Sequence, residues 1–357
     1  MGVIINVVSG KGGAGKTLLT AVLAEALGRA GKRVLVADLD VFVRGLTALL
    51  FFRLDDRITM SDGPTVSDFL RNKSRSPDKN GAGIDIDEDA KAAIVRCRSF
   101  DVLPCVACVN EIFNFRDVMP DNIEEARNVL SRMLERIPGE YDYIFFDSRA
   151  GYDEFIAAAH QIGDCTLCVE ESDRISRLTS DNLIAQLSRD ADTPIVRVRN
   201  KVREQKENIQ EKNNNINNNI IDAGAIPFDT DVMENFGGDA FWAEIDRSVY
   251  REALAKSWNM IADALSWPDK LKTGKRVNPI GLRYLERSLS MLSTIGRILF
   301  VYGILLALLG LFLTAGDSVI YSLTASAGGG NTPLWGIAAG LCGLCLMAGA
   351  VMSSGKK

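Results

Sequence analysis

The chain has 357 residues, enough for one large α/β domain with something added to it. It is 47% hydrophobic and 24% charged, as a globular core requires, and its net charge of -5 argues against a nucleic-acid binder, which carries a basic face. One histidine, His160, leaves almost no raw material for a Ser-His-Asp triad or a multi-histidine zinc site, and it reads as a helix-surface or core residue.

In chain order, "GVIINVVSG", "RVLVADLD", "FDVLPCV", "YDYIFFDS", "DCTLCVE" and "PIVRVRN" are short, β-rich and almost continuously apolar. Strands buried on both faces of a parallel sheet have this character. Helical stretches such as "LLTAVLAEALGRAG" lie between them, so residues 1–266 are expected to form a doubly wound α/β domain with a mostly parallel sheet. Two segments break the rhythm. Residues 52–97 are polar and irregular around "RNKSRSPDKNGAG", and "REQKENIQEKNNNINNNI" runs a charged helix into an asparagine tract. Both are expected to be solvated insertions.

Seven cysteines include three C-x-x-C pairs. Cys165 and Cys168 fall on a strand, where positions i and i+3 point to opposite faces. Cys342 and Cys345 lie in an apolar helix; Cys105 and Cys108, at a strand end, form the one pair with chelating potential. Structural zinc needs four ligands, so buried free thiols are the expectation. Without a secretory signal, reduced thiols fit a cytosolic domain.

The chemistry sits in "GKGGAGKT", Gly10 to Thr17, between the first strand and the first helix. That is the setting of a phosphate-binding P-loop. Its nucleotide-contacting run reads as Gly12, Gly13, Ala14, Gly15, Lys16, Thr17 and Leu18. Backbone N–H groups there ring the phosphates, and the helix N-terminus favours negative charge. Lys16 is expected on the β and γ phosphates and the Thr17 hydroxyl on Mg²⁺.

A second lysine, Lys11, stands five residues before Lys16. The pattern K-G-G-x-G-K-T resembles the deviant Walker A motif of the MinD/ParA family of ATPases. The resemblance implies that Lys11 reaches across a homodimer to the partner's phosphates, with ATP joining the two copies. It also implies that Asp38 orients a Mg²⁺-bound water and that Asp40 positions the attacking water. "YIFFDSRAG" resembles Walker B, with Asp147 holding Mg²⁺ through water and Gly151 as a switch hinge. Arg149 stands where MinD-like members usually carry proline. Asn200 occupies the place where relatives read the adenine edge, and Pro227 and Asp229 lie in a segment similar to the one that closes over the base. The resemblance covers residues 1–265, without the 52–97 insertion.

The C-terminal region differs in character. Residues 267–297 are expected to form a basic linker and an amphipathic juxtamembrane helix, with Leu282, Leu285, Leu289 and Leu292 on one stripe. Residues 298–315 hold no charge and would span about 27 Å as a helix, near the thickness of a bilayer's hydrocarbon core. A second apolar run covers 334–352, where Gly336, Gly340, Ala339 and Gly343 allow close helix packing. The loop 316–333 lacks lysine and arginine, whereas both flanks, including the tail 353–357, carry them. The positive-inside rule then predicts a two-span hairpin in the cytoplasmic membrane, with the ATPase domain and both termini cytoplasmic.

The sequence therefore predicts a membrane-anchored ATPase switch that uses ATP and Mg²⁺, dimerises, and recruits or regulates a protein partner at the bilayer. A bacterial tyrosine kinase would need a tyrosine-rich tail, and "SSGKK" has none. A carrier of metal clusters or membrane proteins using C-x-x-C, and a non-hydrolysing ATP-bound scaffold, are the alternatives.

Overall fold

The computed structural model describes residues 2–51, 63–71, 93–107, 111–112, 114–203, 220–273 and 302. The chain divides into two units, Met1–Val277 and Asn278–Lys357, and the architecture below is that of the first. The amphipathic helix, the two apolar runs (but for residue 302), the loop between them, the tail, most of the asparagine tract and Cys108 lie outside the described residues. Among the described residues no helix is long and apolar enough to cross a membrane.

Among the described residues eight strands make one sheet: β1 (Val3–Ser9), β2 (Val34–Asp38), β3 (Val95–Cys97), β4 (Phe100–Leu103), β5 (Tyr143–Ala150), β6 (Cys165–Glu171), β7 (Ile195–Val202) and β8 (Ile220–Pro227). Their order is β3-β4-β2-β5-β1-β6-β7-β8. All neighbours are parallel except β3 and β4. The central strands are buried on both faces, which explains their mostly apolar sequences. Cys165 and Cys168 on β6 are free and fully buried, and belong to separate apolar clusters.

The described helices are α1 (Lys16–Arg29), α2 (Gly45–Phe51), α3 (Val66–Arg71), α4 (Phe115–Val118), α5 (Ile123–Arg136), α6 (Glu154–Ile162), α7 (Arg174–Asp190), α8 (Thr230–Glu234), α9 (Phe241–Arg247) and α10 (Val249–Ala264). Side-chain caps start several of them. Asn122 accepts from the Glu125 N–H ahead of α5, and Asp153 accepts from the N–H groups of Phe155 and Ile156 ahead of α6. His160 is a core residue of α6, with Nδ1 2.9 Å from the Thr166 hydroxyl.

The segment 52–97 departs from the expectation of a purely solvated insertion. Val66, Phe69 and Leu70 of α3 are buried in the main core, and the N–H groups of Val66 and Ser67 bond the carbonyls of Pro104 and Cys105. Val95–Cys97 forms the antiparallel edge strand. Short apolar stretches within a polar region carry too little periodicity to announce this. At the other end, Trp267 to Leu271 follow α10 back along the body. Trp258 Nε1 donates to the Asp269 carbonyl, and the Asp269 carboxylate accepts from the Tyr143 hydroxyl and pairs with Lys32.

Candidate functional site

The loop from Gly10 to Gly15 joins β1 to α1 at the carboxyl edge of the sheet, where open α/β sheets bind ligands. Two glycines there have identifiable reasons. A Cβ on Gly10 would lie 2.3 Å from the Thr179 carbonyl carbon, so α7 can approach only a glycine. Gly15 has φ 90, and a Cβ on it would meet Asn200 Nδ2 at 2.3 Å. By contrast, a Cβ on Gly12 or Gly13 meets nothing within 4 Å, so this side of the loop is open to a ligand. The first turn of α1 carries no acidic residue to compete for its N–H groups.

Lys16 donates to Ser9 Oγ at 3.0 Å, and Ser9 Oγ donates to the Lys11 carbonyl at 2.8 Å. Burial lowers the Lys16 pKa, opposed by the charges of Asp147 and Asp40. A cation with little water around it is well prepared for an anionic ligand.

A pair of aspartates lies beside the loop, of which Asp147 acts on Lys16. Asp38 ends β2, Asp147 lies within β5 three residues before its end, and the two are directly opposite one another in the β2–β5 register. Asp147 accepts from the hydroxyls of Thr17 at 2.8 Å and Thr20 at 3.3 Å. Asp38 accepts from the Thr47 N–H and hydroxyl at 2.8 and 2.7 Å, and from the Asp40 N–H at 3.1 Å. Burial raises the Asp38 pKa to about 6, against the bonds from Thr47. Burial, then the charge of Asp38, raises Asp147 to about 7. A buried carboxylate pair beside a threonine hydroxyl and a phosphate-shaped loop fits a hydrated Mg²⁺, which takes one or two carboxylates and completes its shell with water and phosphate oxygens. Thr17, Asp38 and Asp147 thus lie together at one end of β2 and β5.

The remaining site residues are placed as follows. Asp40 opens the β2–α2 turn, its carboxylate accepting from the Val43 N–H at 3.1 Å. Gly151, at φ 92, donates to the Ser9 carbonyl and ties the end of β5 to β1. Arg149 pairs with Asp153, and its guanidinium lies 5.6 Å from the Phe42 ring centroid, so it links the turns after β2 and β5. Asn200 is fully buried at the end of β7; Nδ2 donates to the Ala14 carbonyl at 2.9 Å, while Oδ1 has no hydrogen-bond partner. The Tyr250 hydroxyl lies against the same amide. Pro227 ends β8, and Asp229 caps α8 by accepting from the N–H groups of Asp231 and Val232. Lys11 turns toward the β6–α7 corner, 3.2 Å from Asp173 Oδ2 and 3.5 Å from Glu171 Oε2.

The sequence of the CobQ/CobB/MinD/ParA nucleotide-binding domain matches this chain over residues 5–238, more than half its length. The chain belongs to this family. The CobQ/CobB/MinD/ParA assignment agrees with relatives of known name. The septum site-determining protein MinD of Bacillus subtilis is 27% identical over 190 residues, 53% of this chain and 61% of that protein. An ATP-binding protein of Methanocaldococcus jannaschii is 26% identical over 197 residues, 55% of this chain and 62% of that one. The chain thus spans about three-fifths of the length of these two relatives. Among solved structures, MinD of Pyrococcus horikoshii with Mg-ADP superposes with a TM-score of 0.53 at 22% identity, covering 74% of this chain and 97% of that one. A Borrelia burgdorferi plasmid partition protein bound to AMPPNP gives 0.54 at 17% identity, covering 74% and 100%. At these identities the structural likeness establishes the fold alone.

Several site residues had no motif to announce them. Thr47 holds Asp38, Thr20 shares Asp147 with Thr17 from the same face of α1, and Ser9 receives Lys16. Only the i, i+3 spacing of Thr17 and Thr20 was available as a signal. Cys105 sits behind Thr47, its N–H donating to the Thr47 hydroxyl at 3.1 Å, and burial holds its thiol well above the usual range. Among the described residues no three His, Cys, Asp or Glu gather as a metal-binding cluster.

Proposed function

We propose that this chain is a membrane-tethered ATPase switch that pairs with a second copy through shared nucleotide. The observation that carries the reading is the division of labour between two lysines. Lys16 points into its own loop, beside Ser9 and the aspartate pair. Lys11 is 39% exposed at the rim and is held only by carboxylates that are themselves partly open to solvent. Exposed ion pairs of this kind cost little to break, so Lys11 is free to serve an anion on a facing subunit. Val43, Ile175 and Leu178, at 73%, 66% and 60% exposure, follow β2 and β6 at the same edge of the sheet and supply apolar surface for such a pairing.

Within one protomer, Thr17, Asp147 and Asp38 would hold Mg²⁺, and the loop N–H groups with Lys16 would hold the phosphates. Bound Mg²⁺ supplies charge neutralisation at the phosphates. Asp40, at the mouth of the β2–α2 turn, would orient the attacking water, and Gly151 would let the β5 turn follow the presence or loss of the terminal phosphate. The two apolar runs would keep the chain in the bilayer in every nucleotide state. An Aquifex aeolicus MinD is known as a complex with MinC, which supports a protein partner as the reader of the paired state here.

Two variants test this reading. Lys11→Ala is expected to keep ATP affinity while losing ATP-dependent dimerisation, measured by crosslinking in membranes. Equal dimerisation in wild type and variant would sink the proposal. Asp40→Ala should accumulate the ATP-bound dimer, and rapid phosphate release from that variant would remove Asp40 from its role.

A further inference from the structure

The residue after Asn200 has no role in the reading above, yet its surroundings are specific. Lys201 adopts φ 56, a left-handed conformation uncommon for a residue with a side chain. From there its Nζ reaches the Gly13 carbonyl and lies 3.1 Å from Glu171 Oε1. Its neighbour Asn200 donates to the Ala14 carbonyl at 2.9 Å. Two successive carbonyls of the phosphate loop are thus gripped from the end of β7. Glu171, which pairs with Asn200 in the β6–β7 register, is shared between Lys201 and Lys11.

We propose that Lys201 is a positioning residue of the phosphate loop with two linked tasks. A loop presents its N–H groups to an anion only when the intervening carbonyls point away. Lys201 and Asn200 hold the carbonyls of Gly13 and Ala14 outward, so the N–H groups that follow face the phosphates. Without the ammonium, the Gly13 carbonyl loses a charge-assisted bond, and a rotated peptide there turns an oxygen toward the anion. The second task concerns Glu171. With Lys201 in place, Glu171 keeps a cation when Lys11 leaves. Without it, Lys11 becomes the cation facing Glu171 and is held in its own subunit. This second task rests on the dimer reading; the first does not.

The test uses the full chain in lipid nanodiscs, a fluorescent ATP analogue for affinity, and crosslinking for pairing. Lys201→Gly removes the side chain while easing the left-handed backbone, so loss of fold does not confuse the result. Its nucleotide Kd is expected to rise roughly tenfold to a hundredfold, as for loss of a hydrogen bond to a charged group. Lys201→Arg should recover most of that affinity. At saturating nucleotide, Lys201→Gly should pair poorly, and adding Glu171→Gln should restore pairing while leaving the affinity weak. Wild-type affinity in Lys201→Gly, or no rescue by arginine, would overturn the loop-positioning task. Pairing that stays lost in the double variant would overturn the release of Lys11. Should Lys11→Ala pair like wild type, the dimer reading and the second task fall together, and the affinities still decide the first.

Discussion

At the scale of single residues, the site's chemistry is governed by two carboxylates that the sheet register forces side by side. Asp38 and Asp147 are buried and titrate near 6 and 7, well above a free aspartate. Their burial favours the protonated form in the folded protein. The associated stability is therefore full below about pH 4 and is lost as pH rises through 6 to 7. Without added magnesium, the melting temperature of the wild type should fall by several degrees between pH 5 and pH 8. Asp147→Asn should flatten that slope, and Mg²⁺ with ATP should raise the pH 8 value selectively in the wild type. A wild-type melting temperature independent of pH would mean the two charges are solvated and do not confront one another. Both aspartates were named from the sequence through the resemblance of "VADLDVFVRG" and "YIFFDSRAG" to the family's motifs, since a strand-end aspartate by itself reads as a solvated turn. Thr47 was not. It lies nine residues beyond Asp38 and meets it only because α2 folds back over the end of β2. Thr47→Val should deprive Asp38 of a hydroxyl donor, push its pKa further up and weaken Mg²⁺ affinity several-fold, measured by Mg²⁺ titration of nucleotide binding.

At the scale of elements, the loop and the helix it starts are built on close backbone approach. Gly15 combines a left-handed backbone with a close approach, lying under the Asn200 side chain. Gly15→Ala should therefore abolish nucleotide binding while leaving the circular dichroism spectrum of the domain largely intact; a variant that still binds ATP would show that the loop can shift away from β7. Asp173 belongs to two elements at once. It caps α7 by accepting from the N–H groups of Ile175 and Ser176, and it holds Lys11. Asp173→Asn keeps the cap and removes the charge. It should leave stability close to wild type while making ATP-dependent pairing easier, since Asn and Asp cap helices equally well. A loss of pairing would argue that Asp173 acts across the interface and not as a restraint on Lys11. The central strands were legible because both-face burial writes unbroken apolar runs. The edge was not: β3 is three residues long, and α3 hides three buried apolar side chains in a segment whose composition reads as polar. Lys201 escaped for a related reason. Its partners, Gly13 and Glu171, come from distant parts of the chain and meet it through parallel strand pairing.

At the scale of the molecule, the end of the first unit matters most. Asp269 is tied to Lys32, just before β2, and to Tyr143, the first residue of β5. These positions mark the amino edge of a parallel sheet, whereas the phosphate loop and the aspartate pair stand at the carboxyl edge. Strands of five to eight residues separate the two edges by roughly 15 to 25 Å. Among the described residues, the stretch that ends at Thr273 thus packs at the amino edge, away from the phosphate loop. Under the proposed anchoring, the two uncharged runs, 298–315 and 334–352, would separate attachment to the bilayer from switching. A single interfacial helix binds membranes marginally, so pairing would control its attachment; two spanning helices would hold regardless of pairing. The full chain should accordingly stay in the membrane fraction after alkaline carbonate extraction with ATP, with ADP or with neither, and Lys11→Ala should behave alike. A chain ending at Thr273 should appear in the soluble fraction and keep its ATP affinity. Release of the full chain by nucleotide removal would convert the C-terminal region from an anchor into a nucleotide-controlled contact, and the switch would then act by choosing where the protein is instead of what it does there.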